Sequence, residues 1–226
     1  MLFVYKMKKR NTLFILFLLF FLSSKASPTD SISTVYKNGE FVSYCHVSTN
    51  SSDSVSTAVI NKFVNQMCYD LDGLFKWGLK GMHLVNEKDE LLTFDFRSTH
   101  FNPKTNILRG TGDVIVTGIT KIPNIHIDSR LSEKTHTNGR KDVRLDLASP
   151  NSLLKKMVGV FSYVPQGKGK TGYYVLEAHI QFGWFFNVFI TKNKYKKIME
   201  WRLRQVVRNL KEESEKRGRY LANSKQ

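Results

Sequence analysis

The sequence predicts an α+β fold, a curved antiparallel β-sheet gripping a long C-terminal α-helix, with a short helical segment after the first strand. Three observations point there. One stretch near the front carries apolar residues at helical spacing, the middle of the chain alternates apolar and polar residues with period two, and a basic segment near the end returns to helical spacing. Period-two runs separated by short turns describe a sheet with one buried face, and an amphipathic helix must bury its stripe against such a face.

The chain begins with Lys6, Lys8, Lys9 and Arg10, an apolar run from Leu13 to Leu22, and Ser24-Lys25-Ala26. A charged start, a short apolar stretch and small residues at a cleavage point describe a signal peptide over residues 1–26. The mature chain is therefore expected to be exported, to a periplasm or out of the cell. The apolar run is shorter than the roughly 20 residues a spanning helix needs, which makes an uncleaved membrane anchor the secondary reading. Residues 27–38 are polar and contain a proline, and are expected to be a flexible lead-in.

The domain proper is placed at residues 39–218. "GEFVSYCHVST", Gly39 to Thr49, alternates and reads as the first strand. Asp53 is a candidate cap for a helix carrying Val59, Ile60, Phe63, Val64, Met67, Cys68 and Leu71 on one face, with Gly73 ending or kinking it. "LFKWGLKG" is a short second helix or an apolar loop, and Trp77 in it is expected in the core. From Met82 the period becomes two: "LLTFDFRS", "NILRGTGDVIVTGI", "NIHIDSRL", "DVRLDLA", "MVGVFSYV" and "GYYVLEAHIQF" follow, separated by turn-rich pieces. In the last of these Tyr174, Leu176, Ala178, Ile180 and Phe182 share one face, opposite Glu177, His179 and Gln181. An apolar bend, Trp184 to Ile190, leads to a helix whose stripe is Tyr195, Met199, Leu203, Val206 and Leu210, flanked by Ile198, Val207 and Trp201. Residues 219–226 are expected to be a disordered tail.

The formal charge is +16, and removal of residues 1–26 would take five basic residues and no acidic one. The charges are scattered over loops and one helix, and an exported protein does not ordinarily meet nucleic acid, so no nucleic-acid partner is expected. An anionic membrane surface is the partner such a charge admits. Cys45 and Cys68 are the only cysteines; in an oxidising compartment they are able to pair, and the sequence leaves that open. No C-x-x-C or H-E-x-x-H spacing is present, so neither metal nor cofactor is expected. Gly169-Lys170-Thr171 imitates the end of a phosphate-binding loop, but Val164 stands where the earlier glycine belongs and a strand follows, so a hairpin turn is expected.

From Gly39 to Lys216 this order of elements resembles the START-like (SRPBCC, helix-grip) superfamily. That group includes polyketide cyclases and aromatases, ubiquinone-binding proteins and lipid-transfer domains. The likeness is strongest from "VRLDLASPNSLLKKMVGVFSYVPQGKGKTGYYVLEAHIQF" into the terminal helix. The first helix is longer than usual there and no tryptophan-proline signature follows it, so no subfamily is implied. The resemblance implies a ligand cavity between sheet and terminal helix.

The residues expected to line that cavity are Phe94, Phe96, Phe161, Tyr163, Tyr174, Leu176 and Ile180 from strands, with Met199 and Leu203, beside Trp201, from the helix. Such a lining suits a lipid, quinone or sterol-like ligand. The leading reading is an exported protein that binds a small hydrophobic ligand. A cyclase, dehydratase or hydrolase in the same cavity is the alternative. It needs an inward acid or base, whereas the alternation turns Asp95, His126, Asp128, Asp146, Glu177 and His179 outward, so no catalytic residue is assigned. A third reading is an envelope-surface module using the basic terminal helix.

Overall fold

The computed structural model describes residues 30–81, 92–116, 118–166, 172–184 and 190–224, with the side chains of residues 92–94 excepted. The segment read as a signal peptide and the Gly169-Lys170-Thr171 turn lie outside these residues. The described elements are β1 (Ser31–Lys37), β2 (Glu40–Ser48), α1 (Asp53–Tyr69), α2 (Leu71–Trp77), β3 (Leu92–Asn102), β4 (Ile107–Val116), β5 (Thr120–Thr135), β6 (Lys141–Leu147), β7 (Leu154–Val164), β8 (Tyr173–Phe182) and α3 (Lys192–Asn223).

All eight strands form one antiparallel sheet in the order β1-β2-β8-β7-β6-β5-β4-β3. Register shifts at Phe96/Ser98, Gly112/Val114 and Leu154/Lys156 interrupt the ladders, and such bulges bend a sheet. At the β4 bulge the buried Asp113 carboxylate is held by Arg97 at 2.7 Å, Lys121 at 2.8 Å and the backbone N–H of Asn124 at 3.1 Å. The long helix α3 lies across the concave face. This is a helix-grip arrangement, an α+β fold as the patterning required.

Two boundaries differ from expectation. Ser31–Lys37, read as a flexible lead-in, is an edge strand paired residue for residue with β2. Its sequence looks polar because only Thr34 is buried, and Thr34 meets the sheet through a hydroxyl bond to Ser43 Oγ at 3.0 Å instead of an apolar contact. At the other end α3 continues to Asn223, through most of the supposed tail. Helix α1 begins one residue earlier than a cap at Asp53 allows: Ser52 is the N-cap, and Asp53 stands in the first turn. Asp70, between the first two helices, accepts a bond from Gly73 N at 2.9 Å and so starts α2.

The core has one main cluster joining α1 (Val59, Ile60, Val64, Cys68), the sheet (Leu108, Leu131, Val143, Tyr163, Tyr174) and α3 (Val206, Leu210). A second gathers Phe41, Val114, Val116, Leu153, Leu154 and Phe182, and a third joins Cys45 and Val47 to Leu203 and Val207. Cys45 and Cys68 are free, buried thiols in different clusters. Trp77 packs on the main cluster, edge-on to Phe63, with its Nε1–H donating to Gln66 and the Lys62 ammonium over its ring.

Candidate functional site

The strand register builds the floor of the site. One rung runs Leu131–Leu145–Gly159–Ala178–Ser43 from β5 to β2, and its last three positions, on β7, β8 and β2, carry the three smallest side chains available. The rungs on either side are large: Val143–Phe161–Leu176–Cys45 in one direction, Met157–Ile180–Phe41 in the other. Strand side chains alternate between faces, so these rungs all stand on the concave face that carries Tyr163, Tyr174 and Phe182. A trough therefore lies over Gly159 and Ala178 between two walls, closed at the β2 end by the buried Ser43. Its depth is shown at Gly159, where an added Cβ would meet no heavy atom within 4 Å. Leu145, Met157, Phe161, Leu176, Ala178 and Ile180 around it are all half-buried, although they lie on the side of the sheet that the helix covers.

Helix α3 supplies the roof. Tyr195, Met199, Arg202 and Val206 follow one another at four-, three- and four-residue spacing and share a stripe. The two ends of that stripe are pinned to the sheet. Tyr195 stacks on Phe41 at 4.1 Å between ring centroids and meets Phe182 edge-on at 5.2 Å, while Val206 enters the main core cluster. Met199 and Arg202 lie between these anchors and face the same way. The Tyr195 hydroxyl is buried and has no hydrogen-bond partner among the described residues, and Arg202 Nε is buried as well. Burial pushes the Tyr195 phenol well above its ordinary range, opposed in part by the nearby Arg202 charge.

The residues expected to line the cavity divide into groups. Phe161, Leu176 and Ile180 stand on the trough walls, half-buried, with Phe161 edge-on to Phe63 of α1 at 5.4 Å. Tyr163 and Tyr174 are fully buried, and their hydroxyls are engaged by the protein itself. The first donates to Asp53 Oδ1 at 2.5 Å and the second bonds Ser214 Oγ at 2.8 Å. Burial raises both phenols, the Asp53 bond adding to the rise of Tyr163 and the Ser214 bond opposing that of Tyr174. Met199 is half-buried on the roof, as is Trp201 elsewhere on the helix, whereas Leu203 is turned to Cys45 and Val47 of β2. Phe96 lies over Gly110 on the far strands and is 37% exposed. The side chain of Phe94 is outside the described ones.

Gly159, Ala178, Ser43, Tyr195 and Arg202 were not among the expected site residues. The available signal was the lone glycine of "MVGVFSYV", an inward position with no side chain in an otherwise regular run.

Of the acids and histidines expected to point outward, five are found on the convex face in ion pairs and hydrogen bonds. Asp128 pairs with Arg109 at 2.6 Å, Asp146 with Arg144 at 2.7 Å, and His126 meets Thr111 at 3.1 Å. His179 lies between Glu40 at 2.6 Å and Glu177 at 2.5 Å. Among the described residues no group of three or more His, Cys, Asp or Glu is placed to hold a metal ion, and no helix is long and apolar enough to cross a membrane. A separate, more polar cleft of about 660 Å³ opens between α1 and strands β3 to β6, lined by Asn61, Cys68, Tyr69, Phe101, Glu133 and Lys141 among others.

No protein-family model matches the chain, and no curated protein matches it. Solved structures do resemble it in shape. A protein of Thermus thermophilus is 13% identical, with 76% of this chain and 96% of that one covered and a TM-score of 0.43. Human StAR-related lipid transfer protein 5 is 10% identical over 95% of this chain and 99% of its own, with a TM-score of 0.43. The Zhui aromatase/cyclase from Streptomyces sp. R1128 is 11% identical over 79% and 95%, again with a TM-score of 0.43. The fold assignment rests on this chain's own strand order and closing helix.

Proposed function

We propose that the protein binds a small hydrophobic ligand, of lipid, quinone or sterol-like character, in the space between the concave face of the sheet and α3. The observation that carries this reading is the open space above Gly159, ringed by half-buried Leu145, Met157, Phe161, Leu176 and Ile180. Protein interiors are ordinarily filled to crystal-like density. A hollow walled by apolar side chains gains by taking in an apolar molecule, at roughly 25 cal/mol per Å² removed from water. The titratable groups on the convex face stand away from the trough, which supports binding over catalysis. With residues 1–26 read as an export signal, the ligand is met outside the cytosol.

The exposed side of α3 carries Lys196, Lys197, Arg204, Arg208, Lys216 and Arg219. This supports a second contact, with an anionic lipid surface, which salt would screen over about 8 Å at physiological ionic strength. A protein that takes its ligand from a membrane needs both.

The test is native mass spectrometry of the full-length protein from its own cells, followed by denaturation and identification of any released molecule. The expected result is a co-purifying apolar compound, present with the wild type and lost with Gly159→Leu. A compound retained equally by the variant would place the site elsewhere.

A further inference from the structure

Tyr195 stands above one wall of the trough, and its ring and its hydroxyl fare differently. The ring packs against Phe41 and Phe182, in the same cluster as Met157 and Ile180, and a phenylalanine would fill that place equally well. The hydroxyl is buried with no hydrogen-bond partner among the described residues. Leaving a donor in that state destabilises a fold, so it calls for an explanation outside packing. The two other buried tyrosines of this face show the contrast, because Asp53 satisfies the Tyr163 hydroxyl and Ser214 that of Tyr174. Met157, Ile180 and Phe41 form the rung beside Gly159 and Ala178. The open space therefore begins one rung away, about 7 Å along the strands. Burial keeps the phenol protonated far above neutral pH, so what it offers to that space is a neutral donor.

We propose that the Tyr195 hydroxyl is the polar anchor of the trough and donates a hydrogen bond to the carbonyl oxygen of an uncharged ligand, a ketone, quinone or ester, whose apolar body lies over Gly159 and Ala178. This inference deepens the cavity reading above and rests on it. One donor matches one acceptor oxygen, and a carbonyl brings no proton of its own that needs a partner. An alcohol brings such a proton into a hollow whose walls, Leu145, Met157, Phe161, Leu176 and Ile180, have no side-chain acceptor for it. A carboxylate brings a full charge, which is far more costly to bury than a neutral group, and Arg202 on the same stripe is already engaged within the protein. A water on the hydroxyl would need two to four polar partners, which these apolar walls do not supply. The stacking on Phe41 and Phe182 fixes the phenol before the ligand arrives, so little freedom is lost when the bond forms.

The experiment measures equilibrium binding of two matched pairs, dodecan-2-one with 2-methyldodec-1-ene and 2-acetylnaphthalene with 2-isopropenylnaphthalene, to the full-length protein and to Tyr195→Phe and Gly159→Leu. Within each pair a carbonyl oxygen is exchanged for a methylene of similar shape, and the infrared carbonyl stretch of the bound ketone is recorded as well. Tyr195→Phe should weaken binding of the ketone about three- to tenfold, the worth of one hydrogen bond, while its alkene binds as well as before or better. The carbonyl stretch should move to higher frequency in the variant as the bond is lost. Without ligand, Tyr195→Phe should melt no lower than the wild type, since the hydroxyl removed has no partner to lose. Ketone affinity and carbonyl frequency that are the same in wild type and Tyr195→Phe overturn the anchor. A ligand-free Tyr195→Phe that melts below the wild type also overturns it, because the hydroxyl would then serve the fold. In either case weaker binding of ketones and alkenes alike by Gly159→Leu would show that the cavity reading still stands. If none of the four probes binds the wild type, both readings fall.

Discussion

Replacing Gly159 with leucine changes stability in opposite directions depending on whether the space above it is open or filled. Gly159 has no positive φ, so a side chain meets no backbone strain there. A glycine within a strand costs roughly 0.5–1 kcal/mol relative to alanine, which the substitution recovers. The new side chain enters a region where even its Cβ has no neighbour within 4 Å, beside half-buried Leu145, Phe161 and Leu176. Partial burial of a leucine adds about 1 kcal/mol, against 1.5–3 kcal/mol for full burial. The sum is a stabilisation of about 1.5–2 kcal/mol, which in a chain of this size raises Tm by about 3–8 °C. In a filled core the same change would overpack and cost about 1–3 kcal/mol. The assay is thermal and urea unfolding of ligand-stripped full-length protein, repeated with dodecan-2-one. Stripped, the variant should be the more stable. With ligand the order should narrow or reverse, because only the wild type gains the stabilisation that binding confers. A stripped variant that melts below wild type refutes the open trough.

Three further outcomes follow from the geometry. Tyr163→Phe removes the donor to Asp53 Oδ1 and should cost about 1–2 kcal/mol, seen as a Tm lower by about 2–8 °C, with ligand affinity unchanged because that hydroxyl is engaged in the core. Burial pushes the Cys45 thiol up to about 12 and Cys68 up to about 11, so neither should react with iodoacetamide at about pH 8 until urea exposes them, and reduction should not change the mass. Lys156, hydrogen-bonded to both Glu40 oxygens, holds that carboxyl below its ordinary value of 4.5 against the opposing effect of burial, with help from His179. Its contribution is lost as pH falls through the lower folded value, so the Tm difference between wild type and Glu40→Gln should shrink as pH falls below 4.5.

What the sequence disclosed depended on whether a residue's role was local. The inward face of β8, from Tyr174 to Phe182, follows from period two alone, and the α3 stripe from its spacing, because each is fixed by neighbours a few residues away. Strand β1 was hidden because an edge strand with one buried residue, satisfied by a hydroxyl, shows no apolar alternation. Tyr163 and Tyr174 read as ligand-facing because their face is inward. Whether an inward tyrosine meets a ligand or another part of the core is decided by Asp53 and Ser214, distant in sequence and brought close only by α1 and α3. Arg202 was lost among the many basic residues of its helix, since spacing shows which stripe a residue occupies only when the stripe's limits are known.

The same long-range contacts explain why the trough does not collapse. An apolar hollow is costly, by about 24 cal/mol per Å³ in cavity-forming substitutions, and a helix free to settle would close it. Helix α3 is held at both ends and along one flank. Tyr195 is wedged against Phe41 and Phe182 at its start. Leu203 and Val207 sit on Cys45 and Val47 in its middle, and Glu200 accepts the Thr34 N–H at 3.1 Å. Further on, Asn209 bonds the carbonyls of Gly78 and Lys80, Ser214 bonds Tyr174, and Glu213 pairs with Lys62 at 2.7 Å. Lowering the helix onto Gly159 would break contacts on β1, β2, α1 and the segment after α2 together. The frame therefore bears the cost of the hollow, and an apolar ligand recovers it on entry. Ligand uptake should accordingly raise stability while leaving these helix contacts in place, which amide hydrogen exchange over α3 with and without ligand would show as slower exchange without a change in its pattern.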